Sequence, residues 1–202
     1  MKILAFTDTH GKKSYIEEIK LIAKKHKPDI LISAGDFTNF GKNIDDKLKE
    51  FDFGFKLLYI LGNHEEESEI SYSPKHFFNI NMDSKIIKDN LFLGCGGGIY
   101  GEIENNFEKC KNEFKKIISN FKKNNPTGKV VLITHRPPKN TKLDYMKKYP
   151  SGVGAKNISD FIQDNAIDIA ISGHIHENFG KVDLLNKTKL YNPGPKGRII
   201  KI

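Results

Sequence analysis

The sequence predicts an α/β protein, a four-layer α/β/β/α sandwich with two central mixed β-sheets flanked by helices. Three observations predict it. Short runs rich in Ile, Leu and Val, without alternation, mark strands buried on both faces. Amphipathic helical patterns separate several of these runs. Clusters of shorter β-like pieces, spaced as in hairpins, add further strands to the set.

In chain order, Ile3–Phe6 is the first buried run. A helix is expected next, because Ser14-Tyr-Ile-Glu17 is a capping-box pattern and Ile16, Ile19, Ile22 and Ala23 share one helical face. Pro28 bars its continuation and turns the chain into the run Ile30–Ala34. Asn43 to Phe51 reads as a second helix and Leu57–Leu61 as a third strand. Short β-like pieces follow near Phe77–Ile80, Lys85–Ile87 and Leu91–Leu93. A long helix from about Glu104 to Lys123 carries Phe107, Phe114, Ile117, Ile118 and Phe121 on its apolar side, and Pro126-Thr-Gly128 closes it. Val130–Ile133, a helix from Lys156 to Asn165 and the run Ile167–Ile171 continue the alternation. Phe179–Leu184, Lys189–Tyr191 and Arg198–Ile202 read as a closing strand cluster. Arg136–Gly154 is the one long irregular loop, a kind that often lines a site.

A chain of 202 residues without repeats or linkers is expected to form one domain, 1–202, with a substantial core. Its 38% apolar and 29% charged residues place it among soluble globular proteins. No apolar run approaches the roughly 18–20 residues that span a bilayer, so no membrane partner is expected. The N-terminal apolar run is too short for a signal peptide, and a cytoplasmic location is the default. Cys95 and Cys110 do not form a C-x-x-C pattern, which disfavours a disulfide scaffold or a thiolate zinc site. The net charge of +8 invites a nucleic-acid reading. That partner is not favoured: all but Arg136 and Arg198 of the 33 basic residues are lysines, scattered in short pairs, whereas bidentate phosphate recognition favours arginine. The sequence does not specify an oligomeric state.

Each buried run finishes in side chains suited to a metal. The endings are Thr7-Asp8-Thr9-His10, Gly35-Asp36, Gly62-Asn63-His64, Thr134-His135 and Gly173-His174-Ile175-His176. Ligand sites of open α/β sheets gather beyond the carboxyl ends of the strands, so these endings are expected at one rim, as five strand ends of one sheet. Every histidine except His26 and His76 lies there. Singly, each ending has a structural reading: Asp8 as a local cap, Asp36 and Asn63-His64 as turn residues, His135 as a packed histidine. Their conjunction points to a site. His174 and His176, as alternate residues of an extended segment, are expected to face the same way. Carboxylate, amide and imidazole without thiolate suit divalent Mn, Fe, Zn, Ni or Co.

Taken together, D-T-H, G-D-F-T-N, G-N-H-E, T-H-R-P-P and G-H-I-H resemble, in order, the motif series of the calcineurin-like metallophosphoesterases, and they span Asp8 to His176. Glu65 stands where many members have Asp, and Phe37-Thr38-Asn39 replaces the D-x-x-D-R run of some branches. P-P-K-N-T-K-L-D and the later Y-N-P-G resemble a small microbial branch with undefined physiological substrate. The resemblance implies one metallophosphoesterase domain with two divalent metal ions roughly 3.5–4 Å apart. Asp8, His10, Asp36 and His176 would hold one ion, and Asp36, Asn63, His135 and His174 the other. It further implies hydrolysis of a small phosphodiester or phosphomonoester by a metal-bridged hydroxide. His64, by the same resemblance no ligand, would be the catalytic general acid to the leaving alkoxide or a hydrogen-bond donor to the phosphoryl group.

Two alternatives stand beside this reading: a metal-dependent nuclease on the same scaffold, and a non-catalytic metal-binding interaction scaffold. Scaffolds of that kind tend to lose motif residues, above all in the Asn-His motif, and here every ligand and His64 remain. Asn39, Thr141 and Asn192 are candidate substrate contacts. Arg136 either reaches a substrate phosphate or is solvated. Gly94-Cys-Gly-Gly-Gly98 either cradles phosphate or allows a tight backbone approach beneath the site. Substrate choice is expected to rest on Arg136–Gly154 and on the segment after His64.

Overall fold

Strands form where the five Ile-, Leu- and Val-rich runs lie, and each of those is covered on both faces. In the first sheet, β1 (Lys2–Phe6), β2 (Ile30–Ser33), β3 (Leu57–Tyr59) and β4 (Phe77–Asn79) pair in parallel. Six strands make the second: β5 (Asp83–Ile87), β6 (Asn90–Cys95), β7 (Val130–Thr134), β8 (Ile169–Ile171), β9 (Val182–Leu185) and β10 (Thr188–Tyr191). The last strand, β11 (Arg198–Lys201), returns to the first sheet antiparallel to β1. The orders are β11-β1-β2-β3-β4 and β5-β6-β7-β8-β10-β9. Antiparallel pairs β5–β6 and β9–β10 flank a parallel centre, so both sheets are mixed. This computed structural model describes residues 1–66, 68–98 and 101–202; Glu67, in the segment after His64, lies outside the described residues, as do Ile99 and Tyr100.

Helices α1 (Lys13–His26) and α2 (Ile44–Glu50) cover the first sheet, and α3 (Asn105–Asn124) and α4 (Lys156–Asp164) the second. Three apolar layers result. Ile3 and Ala5 of β1 join Val131, Ile133, Ile169 and Ile171 between the sheets. Leu4 and Phe6, on the opposite face of β1, pack against Ile16, Ile19 and Ala23 of α1. Phe107, Phe114 and Phe121 of α3 meet Leu91, Leu93 and Leu132 beneath the second sheet. Burying each large aliphatic side chain contributes about 1.5–3 kcal/mol, which is why the central strands carry no polar face. Among the described residues no helix is long and apolar enough to cross a membrane.

Two local expectations fail. Ser14 is no cap: α1 begins at Lys13 with Lys12 as an N-cap lacking a side-chain bond. The turn before it is already closed by Lys12 N–H to Thr9 O (2.9 Å) and tied across to the next strand end by Gly11 N–H to Phe37 O (2.9 Å), so the helix starts two residues early. The strand expected from Phe179 begins only at Val182, because His176–Asn178 forms a single 3₁₀ turn. Glu104 does cap α3, its carboxylate accepting from Asn106 N–H at 3.3 Å.

Asp168 stitches the starts of β7 and β8. Its carboxylate accepts from Val130 N–H and Lys129 Nζ, both at 2.9 Å, and lies 3.5 Å from Lys122 Nζ. Burial pushes its pKa up, but these partners hold it below the ordinary carboxylate value. A depressed folded-state pKa contributes stability above the unfolded value, about 3.9, that is lost as pH falls through the folded one. Asp168→Asn is therefore expected to lower stability at pH 7 and to match the parent progressively below pH 4, read by urea unfolding between pH 3 and 7.

Candidate metal centre

The candidate ligands do meet in one place, but they come from strand ends of both sheets rather than of one, because the two sheets pack face to face with these ends adjacent. Asp8 and His10 follow β1, Asp36 follows β2, and Asn63 and His64 follow β3. From the second sheet, His135 follows β7 and His174 and His176 follow β8. Backbone in the left-handed region aims four of them: Asp8 (φ 54°), His10 (φ 46°), Asp36 (φ 52°) and His174 (φ 68°). A non-glycine residue there costs of order 1–3 kcal/mol and persists only where its surroundings over-determine it. The over-determination is visible: Asp8 N–H donates to Gly35 O and His10 N–H to Asp36 O, both at 3.0 Å.

Side-chain contacts close into a ring. Asp8 Oδ1 lies 3.4 Å from His176 Nε2, which lies 3.2 Å from His10 Nε2. The His10 and His64 rings are 4.6 Å apart, and His64 Nε2 is 3.8 Å from Asp36 Oδ2. Asp36 Oδ2 is 3.4 Å from His135 Nε2, and the His135 and His174 rings meet edge-on at 5.1 Å. The His174 backbone N–H returns to Asp8 Oδ2 at 3.0 Å. Asn63 joins through Oδ1, 3.2 Å from His135 Nε2. Ligand atoms lie within 4.8 Å of one another in three groups: Asp8-His10-His176, His10-Asp36-His64 and Asp8-Asp36-His135.

Histidine tautomers follow from fixed neighbours. His10 Nδ1 faces Thr38 O at 3.3 Å and His135 Nδ1 faces Ala34 O at 2.8 Å. A carbonyl only accepts, so each Nδ1 carries a proton and each Nε2 is turned toward the ring centre. Imidazole oriented in this way by a backbone carbonyl is the usual support of a metal-ligating histidine. His64 is the reverse: the Phe40 backbone N–H donates to its Nδ1 at 3.1 Å, so the neutral ring carries its proton on Nε2.

The charges explain the rest. Burial works against ionised Asp8 and Asp36, yet His176 and His135, together with donated hydrogen bonds, hold both below the ordinary range. Burial likewise opposes protonation of His135, but the Asp36 carboxylate pulls it up to about 10. His174 is pushed down to about 3 by burial and then by the charge on His135. Protonated imidazole thus occupies the role of a cation beside two buried carboxylates. The donor set, with two carboxylates, inward-facing imidazole nitrogens, an amide oxygen and no thiolate, fits divalent metal ions.

Glu65 was marked in the sequence only as a departure from the motif, and its task is to hold the loops. Its buried carboxylate accepts from Asp36 N–H (2.9 Å), Gly62 N–H (3.0 Å), Thr38 N–H (2.8 Å) and Thr38 Oγ1 (2.5 Å). Three candidate substrate residues lie otherwise than expected. Arg136 is neither solvated nor open to a ligand: it is buried, donating to Val153 O at 2.9 and 3.1 Å, to Gly101 O, and to Ile103 O at 3.4 Å. It pins the 136–154 loop to the segment before α3. Asn192 is also buried, donating to Ile175 O at 3.4 Å and accepting from Gly194 N–H at 3.1 Å, so it braces the histidine turn. Thr141 bonds within its own loop, to Pro138 O at 2.9 Å. Asn39 is exposed beside Phe40. His174 and His176 do converge, but through a left-handed residue and a 3₁₀ turn rather than an extended strand. The Gly94–Gly98 stretch runs close beneath the site, bridging Gly62 through Gly97 and donating from Gly98 N–H to Glu104 Oε2 at 3.2 Å.

Comparison with known proteins adds an independent finding. A family model described as calcineurin-like phosphoesterase matches residues 1–178. The chain is 32% identical over 208 residues to an uncharacterized protein of Methanocaldococcus jannaschii, covering 99% of this chain and 91% of that protein. It is 26% identical over 164 residues to a probable glycerophosphodiester phosphodiesterase of Arcobacter nitrofigilis, covering 75% of this chain and 58% of that one. Among solved structures it is similar in fold to a dimetal phosphatase from Danio rerio, with a TM-score of 0.66 at 11% identity over 94% of this chain and 86% of that one.

Two glycines set the spacing of the carboxylates. A Cβ on Gly62 would strike the Asp36 carboxylate and backbone nitrogen, and one on Gly173 would strike Thr7 Oγ1 and Asp8 Oδ2. Gly62→Ala is expected to keep the circular-dichroism spectrum of the parent while weakening metal retention about 10–100-fold, measured by chelator competition.

Proposed function

The chain belongs to the calcineurin-like phosphoesterase family, whose members are phosphoric ester hydrolases, and on that premise we propose that residues 1–202 act as one catalytic domain hydrolysing a small phosphodiester or phosphomonoester at a dinuclear metal centre. The observation that carries this reading is the closed ring from Asp8 through His176, His10, His64, Asp36, His135 and His174, with the Nε2 atoms of His10 and His135 turned inward. Asp8, His10, Asp36 and His176 would hold one cation, and Asp36, Asn63, His135 and His174 the other, with Asp36 shared. When bound, the two cations supply positive charge for the phosphoryl oxygens and an acidified water. The likeness to a probable glycerophosphodiester phosphodiesterase supports a diester among the substrates.

His64 presents its Nε2–H beside Asp36. Because Nδ1 is engaged by the Phe40 N–H, giving up the Nε2 proton would leave an anionic imidazole. Of the two roles open to it, the geometry therefore favours the hydrogen-bond donor over the general acid. Such a donor, aimed where negative charge grows, contributes roughly 10²–10³-fold in rate. The Asp36 carboxylate, accepting from His64 N–H at 3.0 Å, keeps that residue in register with the ligands.

The test of the reading is hydrolysis of aryl phosphate mono- and diesters with Mn²⁺ or Ni²⁺, with and without a chelator, beside single-stranded DNA. Ester turnover abolished by chelator is expected; no turnover across a broad phosphate panel despite bound metal would remove the enzyme reading, and cleavage of DNA alone would replace it with a nuclease. His64→Ala is expected to retain metal and lose about 10²–10³-fold in kcat. That loss should be similar for nitrophenyl and alkyl leaving groups, whereas a general acid would matter only for the poor ones. Asp36→Ala should empty both positions, as read by metal analysis.

A further inference from the structure

Phe40 is the most exposed of the described large apolar side chains, at 71%, and its backbone is left-handed, with φ 54°. Neither burial nor backbone preference accounts for a phenylalanine there. A glycine would adopt that φ without strain, and the exposed ring stays in water. Its position is informative. The ring stacks on His64 with centroids 4.1 Å apart and planes 20° apart, while the same residue's N–H holds His64 Nδ1. The loop around it is rigidly tied: Gly41 N–H donates to Thr38 Oγ1 at 3.0 Å, and Thr38 is bonded to the buried Glu65.

Beside the ring lies a cleft of about 420 Å³, lined among the described residues by Phe40, Asn63, His64, Glu66 and Ser68. Among the described residues Phe40 is its one apolar lining side chain. Asn63 and His64 belong to the candidate centre, so the cleft opens directly from the place where a phosphoryl group would sit. Glu66, fixed by Asn106 Nδ2 at 2.7 Å, lines the same cleft and offers a hydrogen-bond acceptor.

We propose that Phe40 is a substrate-contacting specificity residue, whose ring stacks against a flat aromatic group carried by the phosphate ester, in the cleft beside His64. This rests on the phosphoesterase reading above and narrows its substrate class to esters of aromatic alcohols or of nucleosides, in preference to esters of small polar alcohols. A flat group is selected because the face of an aromatic ring stacks well on another flat π-system, and because a rigid platform loses little freedom on binding. The two parts of the residue divide the work: the N–H orients His64 and the ring meets the substrate.

The test is calorimetric binding of phenylphosphonate and methylphosphonate to the full-length, Mn²⁺-loaded parent, Phe40→Gly and Phe40→Trp proteins. Phe40→Gly keeps the N–H and relieves the backbone, so its melting temperature is not expected to fall. The parent is expected to favour phenylphosphonate about fivefold to tenfold, the ratio to approach one in Phe40→Gly, and the preference to return in Phe40→Trp. Equal parental affinities, or an unchanged ratio in Phe40→Gly, would overturn the role of Phe40 and leave the phosphoesterase reading standing. A ring-dependent preference in a protein that hydrolyses no ester would uphold Phe40 and remove catalysis. Binding of neither phosphonate would overturn both.

Discussion

Asp8 and Asp36 are buried at 2% exposure where the ends of the two sheets meet, and the surrounding structure is organised by that buried charge. An ionised carboxylate taken from water without partners is prohibitively unfavourable, so each must be met by donors or cations. Thr7 Oγ1, the backbone N–H groups of His64 and His174, and the imidazoles of His135 and His176 meet them. The protons on those imidazoles are attracted by the same field that would hold divalent ions. The ring of side chains is therefore both the reason that two acids can be buried and the reason that the place suits metal.

Glu65 solves the same problem by different means. It is a third buried carboxylate close to Asp36, and burial and that neighbour push its pKa up. Among the described residues no cation pairs with it; instead the loops after β2 and β3 turn four hydrogen-bond donors inward to it. The consequence is mechanical. Asp36, Thr38 and Gly62 are fixed to one carboxylate, and through Thr38 and Gly41 so is the loop that carries Phe40 over His64. The left-handed backbone at Asp36 and Phe40 is maintained by this bracing, at a cost of order 1–3 kcal/mol for each strained residue.

Much of this was legible along the chain. Burial on both faces demands near-continuous apolar strands, so the runs beginning at Ile3, Ile30, Leu57, Val130 and Ile167 could be read without any alignment of partners. Parallel strands bring their carboxyl ends to one rim, so the clusters behind β1, β2 and β3 had to be neighbours, as did those behind β7 and β8; the packing of the two sheets joined the two groups. The misreadings share a cause. Arg136 and Asn192 were judged by residue type near a motif and Ser14 by a capping-box pattern, while their roles depend on which backbone carbonyls and N–H groups lie beside them. Arg136, directly after His135, reads along the chain as either a phosphate contact or a solvated arginine, yet its guanidinium meets carbonyls more than a dozen residues away.

By itself the sequence determined the layer architecture, the family resemblance and the identity of the metal-binding candidates, because strand periodicity and the chemistry of side chains are local properties of the chain. Tertiary structure alone decided which nitrogen of each imidazole faces inward, that Glu65 ties two loops together, and that Phe40 lies on His64. Those outcomes depend on single hydrogen bonds between segments tens of residues apart, such as Ala34 with His135 and Phe40 with His64. No pattern along the chain encodes them, because each is set by which loops the pairing of strands and the packing of the two sheets bring together.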